Sequence, residues 1–276
     1  MLDPFQLQFM QRGALEVLLL APLAGILGAQ IVLRQLAFFT HAVGAAAFPG
    51  LVIAGPAGMP PALAALGVGG GFAALLERLS RRAGLAYDAA TALVLVAALA
   101  LGIVLASDVF ASGSGVDSLL FGSLLAIGNG ELALTAAALA ATAGGAFVYR
   151  RSWVASGFDP GAGGPLGLSP VAADWALVTL IAVAVIASLD AVGALLVSAI
   201  FVIPAATARL FATSVLALEC WAAALALAEG LAGLLLAYRI DAPPGATIAV
   251  LGGAVFALCL VVREVGARAR GVRGSP

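Results

Sequence analysis

Residues 13–33 read GALEVLLLAPLAGILGAQIVL, bounded by Arg12 and Arg34. Glu16 and Gln30 are the polar side chains in the run. A hydrocarbon core about 30 Å thick needs about 20 apolar helical residues, and this stretch meets that length between two charges. The pattern recurs down the chain. Further spans read at 36–55, 60–76, 89–107, 132–149, 171–189, 191–208, 213–237 and 245–262. The expected fold is all-α: a polytopic membrane bundle of about nine spans in a single domain over residues 1–276.

Composition agrees. Of 276 residues, 63% are hydrophobic and 10% charged, with a net charge of −1. A water-soluble domain has about 45–50% apolar and about 25% charged residues. The near-neutral balance lacks the basic patch of a nucleic-acid binder. Every one of the 13 basic residues is Arg. Without Lys the chain has no Walker A phosphate loop and no Schiff-base chemistry. Cys220 and Cys259 fall in apolar runs and form no CxxC pair, so they read as packing residues.

Arginine sets the expected orientation. With the N-terminus outside, Arg34, Arg78, Arg81, Arg82, Arg150, Arg151, Arg209, Arg263, Arg268, Arg270 and Arg273 are all cytoplasmic, leaving Arg12 and Arg239 outside. That is the positive-inside pattern, and an odd number of spans puts the C-terminus in the cytoplasm. The first run reads as a span rather than a secretory signal, because no small-residue cleavage site follows it. Residues 108–131 fall outside. Their short apolar piece, 119–127, is too short to cross and reads as a surface or re-entrant half-helix. Residues 150–170 form the longest cytoplasmic connection.

Gly67 and Gly71 make a GxxxG pair, read as a helix-packing face. Pro22, Pro49 and Pro204 interrupt spans, and broken helices near the midplane are common at transporter substrate sites; Pro49 and Pro204 are candidate pore hinges. Ionisable residues inside the membrane are costly and informative. Glu16, Asp174 and Asp190 lie near span ends, close to water. Glu219 sits one or two turns from the inner face, and Glu229 lies deeper. His41, the one histidine, occupies the second span about one turn from its inner end. Neutral imidazole is a ligand for zinc, manganese or iron. His41, Glu229 and Asp190 are the candidate residues of a metal path. The acidic residues assigned to the outer surface would mildly attract cations.

Three stretches carry a family resemblance: FMQRGALEVLLLAPLAGILGAQIVLRQLAFFTHAVGAAAFPG at 9–50, DSLLFGSLLAIGNGEL at 117–132, and AVGALLVSAIFVIPAATARLFA at 191–212. Together they resemble the membrane permease of ABC-3 type, which includes the zinc and manganese ABC importers of the bacterial inner membrane. The resemblance implies a transport subunit rather than an enzyme. It implies a second permease copy, most simply in a homodimer, a separate cytoplasmic ATPase that binds the ATP, and an extracytoplasmic solute-binding protein that delivers the metal. The transported divalent ion is cargo, and no permanently bound cofactor is expected.

The same resemblance assigns a cytoplasmic coupling segment within 150–170, matching a family pattern like FDPxxAxxxGL. Here it is carried by Phe158, Asp159, Pro160, Leu166, Gly167 and Leu168. Asp159 and Pro160 suit a helix N-cap and first helical residue. Gly161, Gly163, Gly164 and Pro165 then disfavour helix by about 1 kcal/mol per Gly and about 3 for Pro. A second departure lies in the second span, where the family pattern is like GDAxSHAxxPG. The acid and the imidazole there are one turn apart and face one pore. In this chain His41 stands at the acidic position and Ala45 at the histidine position, with Thr40 and Gly44 beside them. The carboxylate–imidazole pair is therefore absent, and His41 is the one ligand this helix retains. Alternative readings are an ion-coupled secondary transporter using Glu229 and Asp190, a divergent permease that has lost metal transport, and an intramembrane enzyme. The last lacks a motif such as HExxH.

Overall fold

A computed structural model describes residues 6–82, 87–109, 120–124, 127–158, 170–194 and 196–271. The chain is a bundle of helices: α1 (Gln8–Leu33), α2 (Ala37–Ala57), α3 (Pro61–Arg82), α4 (Tyr87–Val104), α5 (Asn129–Phe158), α6 (Pro170–Ala187), the single turn α7 (Leu189–Val192), α8 (Val197–Arg209), α9 (Val215–Ile240) and α10 (Pro244–Gly271). No strand occurs among the described residues. Three helices begin on proline, at Pro61, Pro170 and Pro244, where the missing N–H is one the helix could not have used. α9 is capped by Ser214, whose hydroxyl accepts from the Ala217 N–H at 3.1 Å.

Six helices are long and apolar enough to cross a membrane, and three shorter apolar helices lie at 61–72, 172–187 and 197–209. Among the described residues, six of the expected runs coincide with helices of that length and three overlap shorter ones. Burial sorts them. α1 and α2 are inner helices, 67% and 78% buried over their most apolar windows, whereas α5 and α10 are 17% buried. The outer helices present Phe147, Val148 and Val250 outward. In water such a surface would drive aggregation; in hydrocarbon it is what a spanning helix must show.

α1 packs against α5, α8 and α9, and α10 closes on α8 and α9. α2 packs against α3 and α4 and joins the rest through α6 and α8. The close approaches use small residues. A Cβ at Gly28 would overlap the Phe201 carbonyl, and one at Gly25 would sit 2.6 Å from the Glu219 carbonyl oxygen. The GxxxG pair of α3 is different: Gly67 and Gly71 meet nothing within 4 Å. Among the described residues neither glycine of this pair is a point of close approach; the glycines that let helices touch lie elsewhere, such as Gly25 and Gly28 of α1 and Gly50 of α2.

α1 runs antiparallel to α9 and parallel to α8, and the arginines at their ends separate accordingly. Phe9 and Tyr238 have ring centroids 6.2 Å apart, which places the start of α1, with Arg12, beside the end of α9, with Arg239. At the opposite end, Arg209 donates to the Val32 carbonyl at 3.1 Å, and Arg34 reaches α5 and α6.

One expectation about local structure changes. The run 191–208 is not one helix. α6 ends at Ala187, α7 makes one turn, and α8 starts at Val197. Gly193 takes φ +91° in the break. Within the short apolar piece, Leu124 and Ile127 are buried while Phe121 is 36% exposed. The break and this burial have one cause. Gly122 (φ +73°) and Gly193 cross with their backbones in contact, and a Cβ on either would overlap the other segment. The Ser123 N–H donates to the Asp190 carbonyl at 2.9 Å. The inserted segment thus occupies the space a continuous helix would need, and glycine supplies the left-handed backbone required at the crossing.

Candidate functional site

His41 lies on α2, half-buried, in a run where Gly44, Ala45, Ala46 and Ala47 are buried. These small residues let α2 approach the break between α6 and α8. A Cβ at Gly44 would come within 2.7 Å of a Val197 methyl and 3.0 Å of the Ala194 carbonyl oxygen. That approach sets Ser198 opposite the imidazole, with His41 Nδ1 3.0 Å from Ser198 Oγ. Which atom donates depends on the tautomer. The Thr40 hydroxyl is turned back onto its own helix, donating to the Leu36 carbonyl at 2.9 Å. The polar pair found here is one imidazole and one hydroxyl. In the sequence Ser198 is marked only by a lone hydroxyl in the apolar run GALLVSAIF.

Glu229 belongs to a separate place. It is 5% exposed, on α9, in a cleft of about 430 Å³ including its open mouth, where α1, α8, α9 and α10 meet. Ile200, Ile203, Pro204 and Ile248 line the cleft with it, and Glu229 Oε1 has no hydrogen-bond partner. Ser198 and Ile203 lie on different sides of α8, because five residues advance a helix by about 140° past a full turn. α8 therefore stands between His41 and Glu229. Pro204 lies in the Glu229 cleft, while Pro49 is buried in α2, which runs through it uninterrupted.

Asp190 lies on α7. Its charged neighbours are Glu131 and Glu16. Glu16 is not near water as its position suggested: it is 0% exposed, and the Thr135 hydroxyl donates to its Oε1 at 2.7 Å. Glu219 pairs with Arg150 at 2.8 Å. The structure therefore does not bring His41, Glu229 and Asp190 together. Among the described residues, no three His, Cys, Asp or Glu side chains form a group able to hold a metal ion. Cys220 and Cys259 are free thiols.

Of the coupling segment, Phe158 is the last residue of α5. Asp159, Pro160, Leu166, Gly167 and Leu168 lie outside the described residues. The helices that lead into and out of the segment are tied together. Trp153 Nε1 donates to the Ala173 carbonyl at 2.8 Å. Arg34, at the end of α1, pairs with Asp174 of α6 and donates to the Trp153 carbonyl at 3.0 Å and to Ser156 Oγ at 2.8 Å. Arg34 is a second residue whose role appears only in three dimensions.

The sequence model of the ABC 3 transport family matches residues 6–263. The chain belongs to the ABC 3 transport family. A relative named "Probable iron transport system membrane protein" in Haemophilus influenzae is 29% identical over 96% of this chain and 97% of its own length. The manganese transport system membrane protein MntC of Halalkalibacterium halodurans is 28% identical over 91% of this chain and 86% of its own. The solved PsaBC from Streptococcus pneumoniae in complex with Fab superposes with a TM-score of 0.86 at 23% identity, covering 93% of each chain; this likeness speaks to the fold. This ABC 3 member is accordingly a multi-pass protein of the bacterial inner membrane and a permease subunit of a metal ABC transporter, not an enzyme. Such a permease works with a separate ATPase and a solute-binding protein. The alternatives of a secondary transporter and of a permease without metal transport are not favoured.

Proposed function

We propose that this permease carries a divalent transition-metal ion, zinc or manganese, along a pathway that passes His41 and is completed by a second copy of the chain. The observation that carries this reading is the His41–Ser198 pair, which aims an imidazole from a tightly packed inner helix at the broken segment between α6 and α8. A neutral imidazole with a hydroxyl beside it offers a metal ion a nitrogen and an oxygen without a fixed negative charge. Relatives named for manganese and iron support a first-row metal as cargo. His41 is then a point of weak contact in transit. The separation of Glu229 and Asp190 from it argues for successive contacts rather than one chelating set.

The whole of 1–276 serves as one permease domain in this reading, with nine crossings, the N-terminus outside and the C-terminus in the cytoplasm. The separation of Arg12 and Arg239 from Arg34 and Arg209 supports it. Phe158, Asp159, Pro160, Leu166, Gly167 and Leu168 engage the ATPase, whose motion reaches the bundle through α5 and α6. Pro49 and Pro204 act as the points where α2 and α8 yield. The test is uptake into vesicles that hold the permease with its ATPase and solute-binding protein. ATP-dependent loading of zinc or manganese, lowered in His41→Ala, is expected. Loading of no first-row metal rejects the reading.

A further inference from the structure

The break between α6 and α8 lies inside the bundle. Ser188, Leu189, Val192, Ala194 and Val197 are all 0–1% exposed. A helix ending in such a place leaves carbonyl oxygens aimed past its end, with the partial negative charge of the helix terminus. The Ser188 hydroxyl is engaged with the Ala184 and Val185 carbonyls, at 2.7 and 3.0 Å. Thr135 of α5 stands next to the last carbonyl. Its hydroxyl oxygen is 3.4 Å from the Ala187 oxygen and 2.7 Å from Glu16 Oε1. One hydroxyl proton cannot serve both acceptors.

Glu16 supplies the second, independent observation. It is fully buried, and its Oε2 has no hydrogen-bond partner. The charged groups that act on it are Glu131 and Asp190, both of its own sign, while Arg12, one turn away on α1, is half-buried and is not among them. A buried carboxylate oxygen without a donor is costly. Among the described residues, no ion pair reaches this carboxylate.

We propose that Glu16, Thr135 and the carbonyl end of α6 bind a sodium ion that joins α1, α5 and the broken helix. The ligands are oxygens of a carboxylate, a hydroxyl and a main-chain carbonyl, which suit a hard cation and not a soft transition metal. A single carboxylate in contact suits one positive charge better than two. Carboxylate and carbonyl oxygens at the end of a discontinuous helix are a known way for membrane transporters to hold such an ion. The ion would be a fixed part of the fold and not cargo. It would hold the segment from which α8 starts, and with it Ser198. The site is independent of which metal is transported.

The experiment uses the permease assembled with its ATPase subunit in lipid nanodiscs. The melting midpoint is measured in sodium chloride and in choline chloride of equal ionic strength, with potassium, calcium and manganese chlorides as further arms, and radioactive sodium binding is measured by equilibrium dialysis. Sodium is expected to raise the midpoint of the wild type by about 3 °C or more at saturation. Glu16→Gln is expected to abolish both the shift and the binding. Should that variant fail to assemble, Thr135→Val, expected to weaken sodium binding at least several-fold, decides with the wild-type comparison. Equal midpoints in sodium and choline, a shift produced by calcium or manganese and not by sodium, or sodium binding retained in the variants would each overturn the site.

Discussion

Arg34 pairs with Asp174, 140 residues further along the chain, and in doing so closes the end of α1 onto the two helices that flank the coupling segment. The ion pair itself is partly open to solvent, with Asp174 47% exposed, and contributes about 1 kcal/mol or less. The guanidinium also holds the Trp153 carbonyl and Ser156. Charge-assisted hydrogen bonds of this kind contribute about 1.5–3 kcal/mol each before screening.

Arg34→Ala should therefore lower ATP-driven uptake and destabilise the assembled transporter by more than Arg150→Ala does. Arg150 is exposed and has one partner, Glu219, so its loss should cost about 1 kcal/mol or less. Parallel melting curves and uptake rates check the order. Equal effects would show that Arg34 is an ordinary surface charge. Asp174→Asn should have a smaller effect than Arg34→Ala, since the backbone and serine contacts remain.

His41→Ala should reduce metal uptake about tenfold, the equivalent of about 1.4 kcal/mol in the transport barrier. Ser198→Ala should reduce it less, because the hydroxyl positions the imidazole and the imidazole keeps its nitrogen. Uptake of radioactive zinc and manganese into reconstituted vesicles measures both. An unchanged rate in His41→Ala removes His41 from the path.

Gly122→Ala and Gly193→Ala should each destabilise the fold by about 2–4 kcal/mol, from left-handed backbone strain and overlap with the facing main chain. Gly144→Ala is the control: nothing lies within 4 Å of it, and alanine is the better helix former. Thermal melting in detergent should separate the two crossing glycines from the control by many degrees.

Glu229→Met should raise the melting midpoint. The substitution keeps the volume of the side chain and removes a buried oxygen that lacks a partner in an otherwise apolar cleft, a change worth about 1–3 kcal/mol. A lower midpoint would mean that the carboxyl is satisfied in the membrane.

Much of the fold was legible in the chain itself. Apolar runs bounded by Arg12, Arg34, Arg150, Arg209 and Arg239 mark the spans, because a hydrocarbon slab charges a high cost for each unpaired ion. Pro61, Pro170 and Pro244 mark helix starts for a reason local to one residue. The seventh span failed as a continuous helix for a reason that is not local. Nothing in AVGALLVSAIF disqualifies a helix, and the break follows from Gly122, which lies about 70 residues earlier and claims the same space. The site was legible to the same degree. His41 stood out as the one histidine, but its partner Ser198 did not.

Composition and charge spacing determined that this is a bundle of membrane helices, and a family pattern determined what kind, because both are properties summed along the chain. The tertiary structure alone decided that α8 separates His41 from Glu229, that Glu16 is sealed away from water beside Thr135, and that Arg34 ties α1 to α5 and α6. Each is a meeting of side chains far apart in sequence. Such meetings depend on which face of each helix turns inward, and in a chain apolar on nearly every face, the order of residues does not specify that.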